Sequence, residues 1–164
     1  MKKFSDKSAR VCIVGLGYVG LPTAVSFAEK GFQVIGADKN EKVVDLINQG
    51  GCHLKDLDLD ERVEKVVLAK KLSATTDTAE ATRKSDAVLI IVPTPVTPRK
   101  TVDLSAVESA TRLLVPFLKK GNLVILESTS PIGTTRNVVG GIIRAAGLEP
   151  GRDVHLCYCP ERVL

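Results

Sequence analysis

Three glycines, Gly15, Gly17 and Gly20, stand in the spacing G-x-G-x-x-G within "VCIVGLGYVGLPTAVSFAEKGFQVIGAD", and Asp38 closes that stretch eighteen residues after the last of them. The chemistry open to this set is recognition of a diphosphate and a ribose. Gly15 permits a tight turn, Gly17 puts no side chain between the backbone and a pyrophosphate, and Gly20 lets the following helix pack closely on the strand. The helix N-terminus offers free N–H groups and its dipole to the phosphates. A carboxylate at Asp38 can accept both hydroxyls of an adenosine ribose, and it repels the 2′-phosphate of NADP. NAD is therefore the expected cofactor, with Lys39 and Lys42 as the nearby cations that argue the other way. A glycine turn kept for packing alone is the alternative; the β run "RVCIV" before the motif and the helical run after it count against that.

The elements that must position this loop follow from hydrophobic periodicity. Strands are expected at Arg10–Val14, Gln33–Ala37, Leu72–Thr75, Ala87–Val92, Leu123–Glu127 and Val154–Tyr158. Helices are expected at Val19–Lys30, Glu41–Asn48, Glu61–Leu68, Thr78–Arg83, Ser105–Leu118 and Thr134–Ala146. Gly31 suits a helix stop, Asp77 a cap for the fourth helix, and Asp103 or Ser105 a cap for the fifth. Alternating strands and helices with continuous apolar strands imply an α/β fold: a doubly wound (Rossmann), mostly parallel sheet with helices on both faces. Residues 1–9, basic and polar, read as a solvated leader, and 10–164 as one NAD-binding domain. The loop "VPTPVTPRKTVDL" holds Pro93, Pro95 and Pro98, which exclude regular pairing; it is expected to touch the cofactor.

Composition narrows the class. A chain of 164 residues with no Trp builds one domain around an aliphatic core. The net charge of +4 is mild and its basic residues are scattered, so neither nucleic acid nor a membrane is an expected partner. No apolar run reaches the ~20 residues of a membrane span, and the N-terminus lacks the apolar region of a secretion signal. Cys12, Cys52, Cys157 and Cys159 show no zinc spacing, so no metal is expected. A buried, reduced thiol is expected at each, in a cytoplasmic protein.

"GLGYVGLPTAVSFAEKGFQVIGADKN", "VPTP", "LVILESTSPIGTT" and "YCPERVL", in that order, resemble the N-terminal domain of the UDP-glucose/GDP-mannose dehydrogenase family, and most of all its N-acetylhexosamine members. The resemblance runs from about Arg10 to Leu164. It implies oxidation of a sugar-nucleotide primary alcohol to a carboxylate with two NAD per turnover, by an enzyme that is a homo-oligomer when complete. Carried over by motif, Tyr18, Val19, Asp38, Thr94 and Thr135 contact NAD, with turn capping the alternative for the two threonines. Thr129 and Glu161 match positions of the catalytic water, where Glu161 would take a proton from water attacking a thioester; a surface ion pair is its alternative. Arg162 and Val163 match sugar-nucleotide positions, and a guanidinium there can hold an anion bidentately. Glu127, at a strand end, can be read as an acid, but a structural role is the favoured reading.

The chain departs from the family pattern in two places. A basic residue often found five positions after the ribose acid is Val43 here, with Lys42 one earlier. The family's nucleophilic cysteine, in a later glycine-rich segment, and its helping lysine and asparagine have no counterpart, so the chain is expected to turn nothing over alone. A standalone dinucleotide-binding module and a different Rossmann dehydrogenase are the competing readings.

Overall fold

The computed structural model describes residues 2–54 and 59–161. Its element order is α1 (Lys2–Ser5), β1 (Arg10–Val14), α2 (Gly20–Glu29), β2 (Gln33–Ala37), α3 (Glu41–Asn48), α4 (Asp60–Leu68), β3 (Leu72–Thr75), α5 (Thr78–Arg83), β4 (Ala87–Ile90), α6 (Ser105–Leu114), β5 (Leu123–Leu126), α7 (Gly140–Ala145) and β6 (His155–Tyr158). The six strands form one sheet in the order β3-β2-β1-β4-β5-β6, and every pairing is parallel. The winding reverses between β1 and β4, and a crevice opens beyond the strand ends at such a switch point. Val14 is in register with both Ala37 and Ile90, Ile90 with Leu126, and Leu126 with Tyr158. The residues that follow these strands therefore meet along one edge.

Period-two alternation divides the core between the two faces. Val11 and Ile13 of β1 pack with Leu21 and Val25 of α2, while Cys12 and Val14 face Val107 and Leu114 of α6 and Ile143 of α7. Ile13, Ile90, Leu114 and Leu126 are fully buried, and each such side chain contributes roughly 2 kcal/mol by leaving water. α2 stops where Gly31 turns to φ +98. The Gly31 N–H donates to the Ala28 carbonyl and the Phe32 N–H to that of Phe27, while the two phenylalanine rings meet edge to face at 5.6 Å. This pins the entry to β2. At the far edge, Asn48 of α3 exchanges two hydrogen bonds with the backbone of Ala74, covering part of the unpaired side of β3.

The expected strands are all present, with differences at their ends. β4 stops at Ile90 and β5 at Leu126, because the Val92 N–H leaves the ladder for the Ser128 hydroxyl. α6 ends at Leu114 and tightens into a 3₁₀ turn over Val115–Phe117, since Pro116 has no N–H to continue it. The segment expected to be helical from Thr134 starts as a π-turn, Thr134–Val139, before α7. Asp77 caps α5 through the Glu80 N–H, whereas α6 has no side-chain cap: Asp103, which accepts from the Ser105 N–H, stands one residue before the cap position. The proline loop is not wholly unpaired, for Val96 and Val102 form an antiparallel bridge closed by the Thr97 N–H and the Thr101 carbonyl. The leader is exposed along most of its length but contains α1 and anchors to the sheet end through Lys3 Nζ and Asp86, 2.7 Å apart.

The expectation of buried thiols holds for Cys12 and fails elsewhere. Cys52 is half-buried, and Cys157 and Cys159 are exposed. β6 is one of the sheet's two edge strands, with a burial pattern that leaves most of its side chains in contact with solvent. Among the described residues, no helix is long and apolar enough to cross a membrane, and no group of three His, Cys, Asp or Glu could hold a metal.

Candidate cofactor and catalytic site

The glycine loop links β1 to α2 at the switch point, and its three glycines have separate physical reasons. Gly15 sits at φ +97, and a Cβ there would lie 2.1 Å from the Ile91 carbonyl oxygen. At Gly20 a Cβ would lie 1.8 Å from the Gly15 carbonyl oxygen. Both positions are closed by the protein itself. Gly17 differs: a Cβ added there meets nothing within 4 Å. Packing does not demand glycine at this position, whereas close approach of a phosphate group does. Among the described residues the N–H groups of Tyr18 and Val19 have no acceptor, and they open the positive end of the ten-residue α2.

Asp38 stands just past β2, held in place by the backbone. Its Oδ2 accepts from the Leu16 N–H at 2.8 Å and its Oδ1 from the Asn40 N–H at 2.9 Å. One contact comes from the glycine loop itself, so acid and loop are set relative to each other. Each oxygen keeps a further acceptor site for a ribose hydroxyl. The residues thus fit a dinucleotide: phosphates over Gly17, adenosine ribose against Asp38. Tyr18 is 59% exposed and Val19 half-buried, both beside this bed.

The loops after β4 and β5 bring two more expected residues together. Thr94 donates its hydroxyl to the Thr129 carbonyl. Beneath them the buried Ser128 hydroxyl accepts from the Val92 N–H at 2.9 Å and lies 3.4 Å from the Ile90 carbonyl. Ser128 is a positioning residue the sequence reading passed over, and its only signal was its place directly before Thr129. Thr135 lies apart, half-buried in the π-turn behind β5, with no side-chain hydrogen bond among the described residues.

Glu161 follows β6 and lines an open cleft of about 470 Å³ with Tyr18, Val19, Pro22 and Glu127. The cleft joins the face of α2 to the ends of β5 and β6. Arg62 also lines it, but its guanidinium is engaged bidentately with Glu29 at 2.9 Å for each bond. Glu127, for which a structural role is expected, lines the same cleft. It is half-buried, its N–H donates to the Ile90 carbonyl at 3.0 Å, and its side chain has no hydrogen bond or ion pair among the described residues; burial first, and the Glu161 charge second, push its carboxyl pKa up. Burial first, then the Glu127 charge, likewise raises the Cys159 thiol. Arg162 and Val163 lie outside the described residues.

Residues 9–164 match the model of the UDP-glucose/GDP-mannose dehydrogenase family, NAD binding domain. The chain belongs to this family. It is 45% identical, over 95% of its length, to the UDP-N-acetyl-D-mannosamine dehydrogenase of Escherichia coli strain K12, of which it covers 38%. Among solved structures, the UDP-N-acetyl-mannosamine dehydrogenase from Staphylococcus aureus superposes at a TM-score of 0.88 with 38% identity, covering 95% of this chain and 37% of that one. A ternary complex of GDP-mannose dehydrogenase from Pseudomonas aeruginosa superposes at 0.90 with 32% identity, covering 94% and 36%. The chain therefore spans little more than a third of the relatives it matches, and that third is the NAD-binding domain. NAD is its cofactor, as the glycine loop and Asp38 imply.

Proposed function

We propose that this domain serves a cytoplasmic, homo-oligomeric dehydrogenase that oxidises the C6 alcohol of a UDP-N-acetylhexosamine, such as UDP-N-acetyl-D-mannosamine, to the uronate. Support for the sugar comes from similarity to enzymes of that name. The cofactor geometry rests on one observation, the open space over Gly17 beneath the unpaired N–H groups of Tyr18 and Val19. NAD supplies the hydride acceptor for both oxidations. The chain's own residues hold it: Gly15, Gly17 and Gly20 shape the phosphate bed, Asp38 takes the adenosine ribose, and Tyr18, Val19, Thr94 and Thr135 complete the contacts.

In this reading Glu161 takes a proton from the water that hydrolyses the acyl-enzyme, and Thr129 orients that water. Arg162 and Val163 contact the sugar nucleotide. The nucleophilic cysteine belongs to the part of the relatives that this chain does not span. Burial pushes the Cys12 thiol up to about 12 and raises that of Cys159, so neither of these two is a ready thiolate. The test is a titration of the 164-residue chain with NAD, followed by addition of UDP-N-acetyl-D-mannosamine. Binding without NADH formation is expected from the chain, and two NADH per sugar from the full-length enzyme. Turnover by the chain alone, or no NAD binding, overturns the reading.

A further inference from the structure

The basic residues are scattered along the sequence, but the fold gathers five of them. Lys3 comes from α1, Arg10 from the start of β1, Lys84 from the end of α5, and Lys119 and Lys120 from the turn before β5. Together they line an open cleft of about 700 Å³ at the amino ends of β1, β4 and β5, away from the cofactor edge. Asp86 is the one acid on its wall among the described residues. Five cations against one acid leave the lining with a formal charge of +4, which is the net charge of the whole chain. The remainder of the molecule is therefore balanced, and its excess charge sits in one concave place.

The protein itself does not use up these charges. Asp86 is spent on Lys3 Nζ at 2.7 Å and on the Arg10 N–H at 2.9 Å. Lys84 reaches Glu80 at 3.2 Å and Lys120 reaches Asp153 at 3.4 Å, but each of those acids is shared with an arginine, Arg83 or Arg152. Lys119 Nζ donates to a neutral partner, the Arg83 carbonyl, at 2.7 Å. The Arg10 guanidinium makes no hydrogen bond or ion pair among the described residues. An ammonium has three donors, so each lysine keeps at least one for a further acceptor.

The floor that carries the cations is fixed. The buried Asn122 side chain accepts from the Lys119 N–H at 2.6 Å and donates to the Ser85 carbonyl at 3.0 Å, which locks the Lys119–Lys120 turn to the entry of β4. On the other wall the Ala9 N–H donates to the Lys3 carbonyl at 2.9 Å, and the exposed Phe4 ring stands at the rim. Shape decides the class of ligand. A nucleic acid needs an extended basic stripe, whereas cations from several segments converging on one small cleft suit a compact anion of high charge. In so open a place a singly charged anion gains little.

We propose that this cleft binds an oligophosphate, either a free triphosphate chain or the triphosphate of a nucleotide. Arg10 holds one phosphate through its planar fork, and Lys119, Lys120 and Lys84 act as point charges on the others. The Phe4 ring offers a face on which a nucleobase can stack. NAD is a weak ligand here, because its nicotinamide cation offsets part of its phosphate charge. The site is independent of the sugar assigned above.

The experiment is an amide chemical-shift titration of the 164-residue chain with sodium tripolyphosphate, with cytidine triphosphate and with inorganic phosphate. Shifts are expected at Lys3, Arg10, Lys84 and Lys119–Asn122 with both triphosphates, while Gly17–Val19 stay silent and affinity falls as salt is added. Arg10→Gln should weaken tripolyphosphate binding roughly 5- to 10-fold, and Lys119→Gln with Lys120→Gln by at least as much. Lys42→Gln with Lys65→Gln, which removes two exposed charges elsewhere, should leave it unchanged. Tighter binding of cytidine triphosphate that is lost in Phe4→Ala assigns a nucleotide, and equal affinity for the two probes assigns the bare chain. Tripolyphosphate bound no better than inorganic phosphate, an equal loss in the Lys42–Lys65 variant, or a short DNA duplex engaging these amides while tripolyphosphate does not, would each overturn the site.

Discussion

The two ends of the sheet's carboxyl edge are built differently. At β1–β2 the groups proposed to meet the cofactor are fixed by backbone: Asp38 accepts from Leu16 and Asn40, Gly20 packs against the Gly15 carbonyl, and the core behind them is closed. At β5–β6 Glu127 and Glu161 line an open cleft, Cys157 and Cys159 are exposed, and the Glu127 side chain has no hydrogen bond or ion pair among the described residues. The difference teaches that the glycine loop and Asp38 are set relative to each other by the fold's own backbone. The other end carries its two acids in an open cleft, beside an edge strand whose side chains are mostly exposed.

The largest effect should come from breaking the closed end. Gly20→Val would drive a side chain into the Gly15 carbonyl, 1.8 Å from where a Cβ would sit. A cost on the order of 3 kcal/mol or more should appear as a large drop in Tm, together with loss of NAD binding. Gly17→Leu should separate fold from function. With open space around that position, Tm should change by only about 2 °C, while NAD affinity falls at least ~10-fold, about 1.4 kcal/mol. A Gly17→Leu chain that binds NAD normally would place the phosphates elsewhere.

Thiol labelling sharpens the contrast from the other side. At pH 8 a maleimide should modify Cys157 within minutes and Cys159 more slowly, while Cys12, buried with its pKa pushed up to about 12, should react only on unfolding. Mass spectrometry of timed samples reads the order directly. Labelling of Cys12 in the folded chain would contradict the closed core.

The smallest effect concerns the entry to β6. Asp153 accepts from the Glu149 N–H at 2.9 Å and from Arg152 Nη2 at 2.8 Å, and Lys120 lies 3.4 Å away. The Arg152 guanidinium, first among these, holds its carboxyl well below the usual range. A depressed folded value means that the stabilisation is fully present above the unfolded pKa of about 4 and is lost as pH falls from there toward the folded value. Asp153→Asn should therefore lower Tm at pH 7 by a few degrees at most, and the gap to the unaltered chain should shrink below pH ~4. A gap of constant size down to pH 2 would mean that the charge is not its source.

Much of this was legible in the residues. β1, β2 and β3 are found where short β-branched or small apolar runs predict them, and Gly15, Gly20 and Gly31 each do what the motif or helix stop requires. What escaped depends on neighbours far away in sequence. Val92 reads as strand because it is apolar, but its N–H is drawn to Ser128, thirty-six residues on. Cys157 reads as core because β-strand cysteines usually are, but the strand order puts β6 at the edge. Glu127 looks like any polar residue ending a strand until the β5–β6 register sets it beside the segment that carries Glu161.

The central claim is that the dinucleotide lies over the β1–α2 loop with its adenosine ribose at Asp38. Amide chemical-shift mapping of the 164-residue chain during NAD titration tests it most directly. The account predicts the largest shifts at Gly17, Tyr18, Val19 and Asp38, with little change around Lys3, Arg10 and Lys84 at the opposite end of the sheet. Shifts concentrated at that opposite end, with the glycine loop silent, would contradict it.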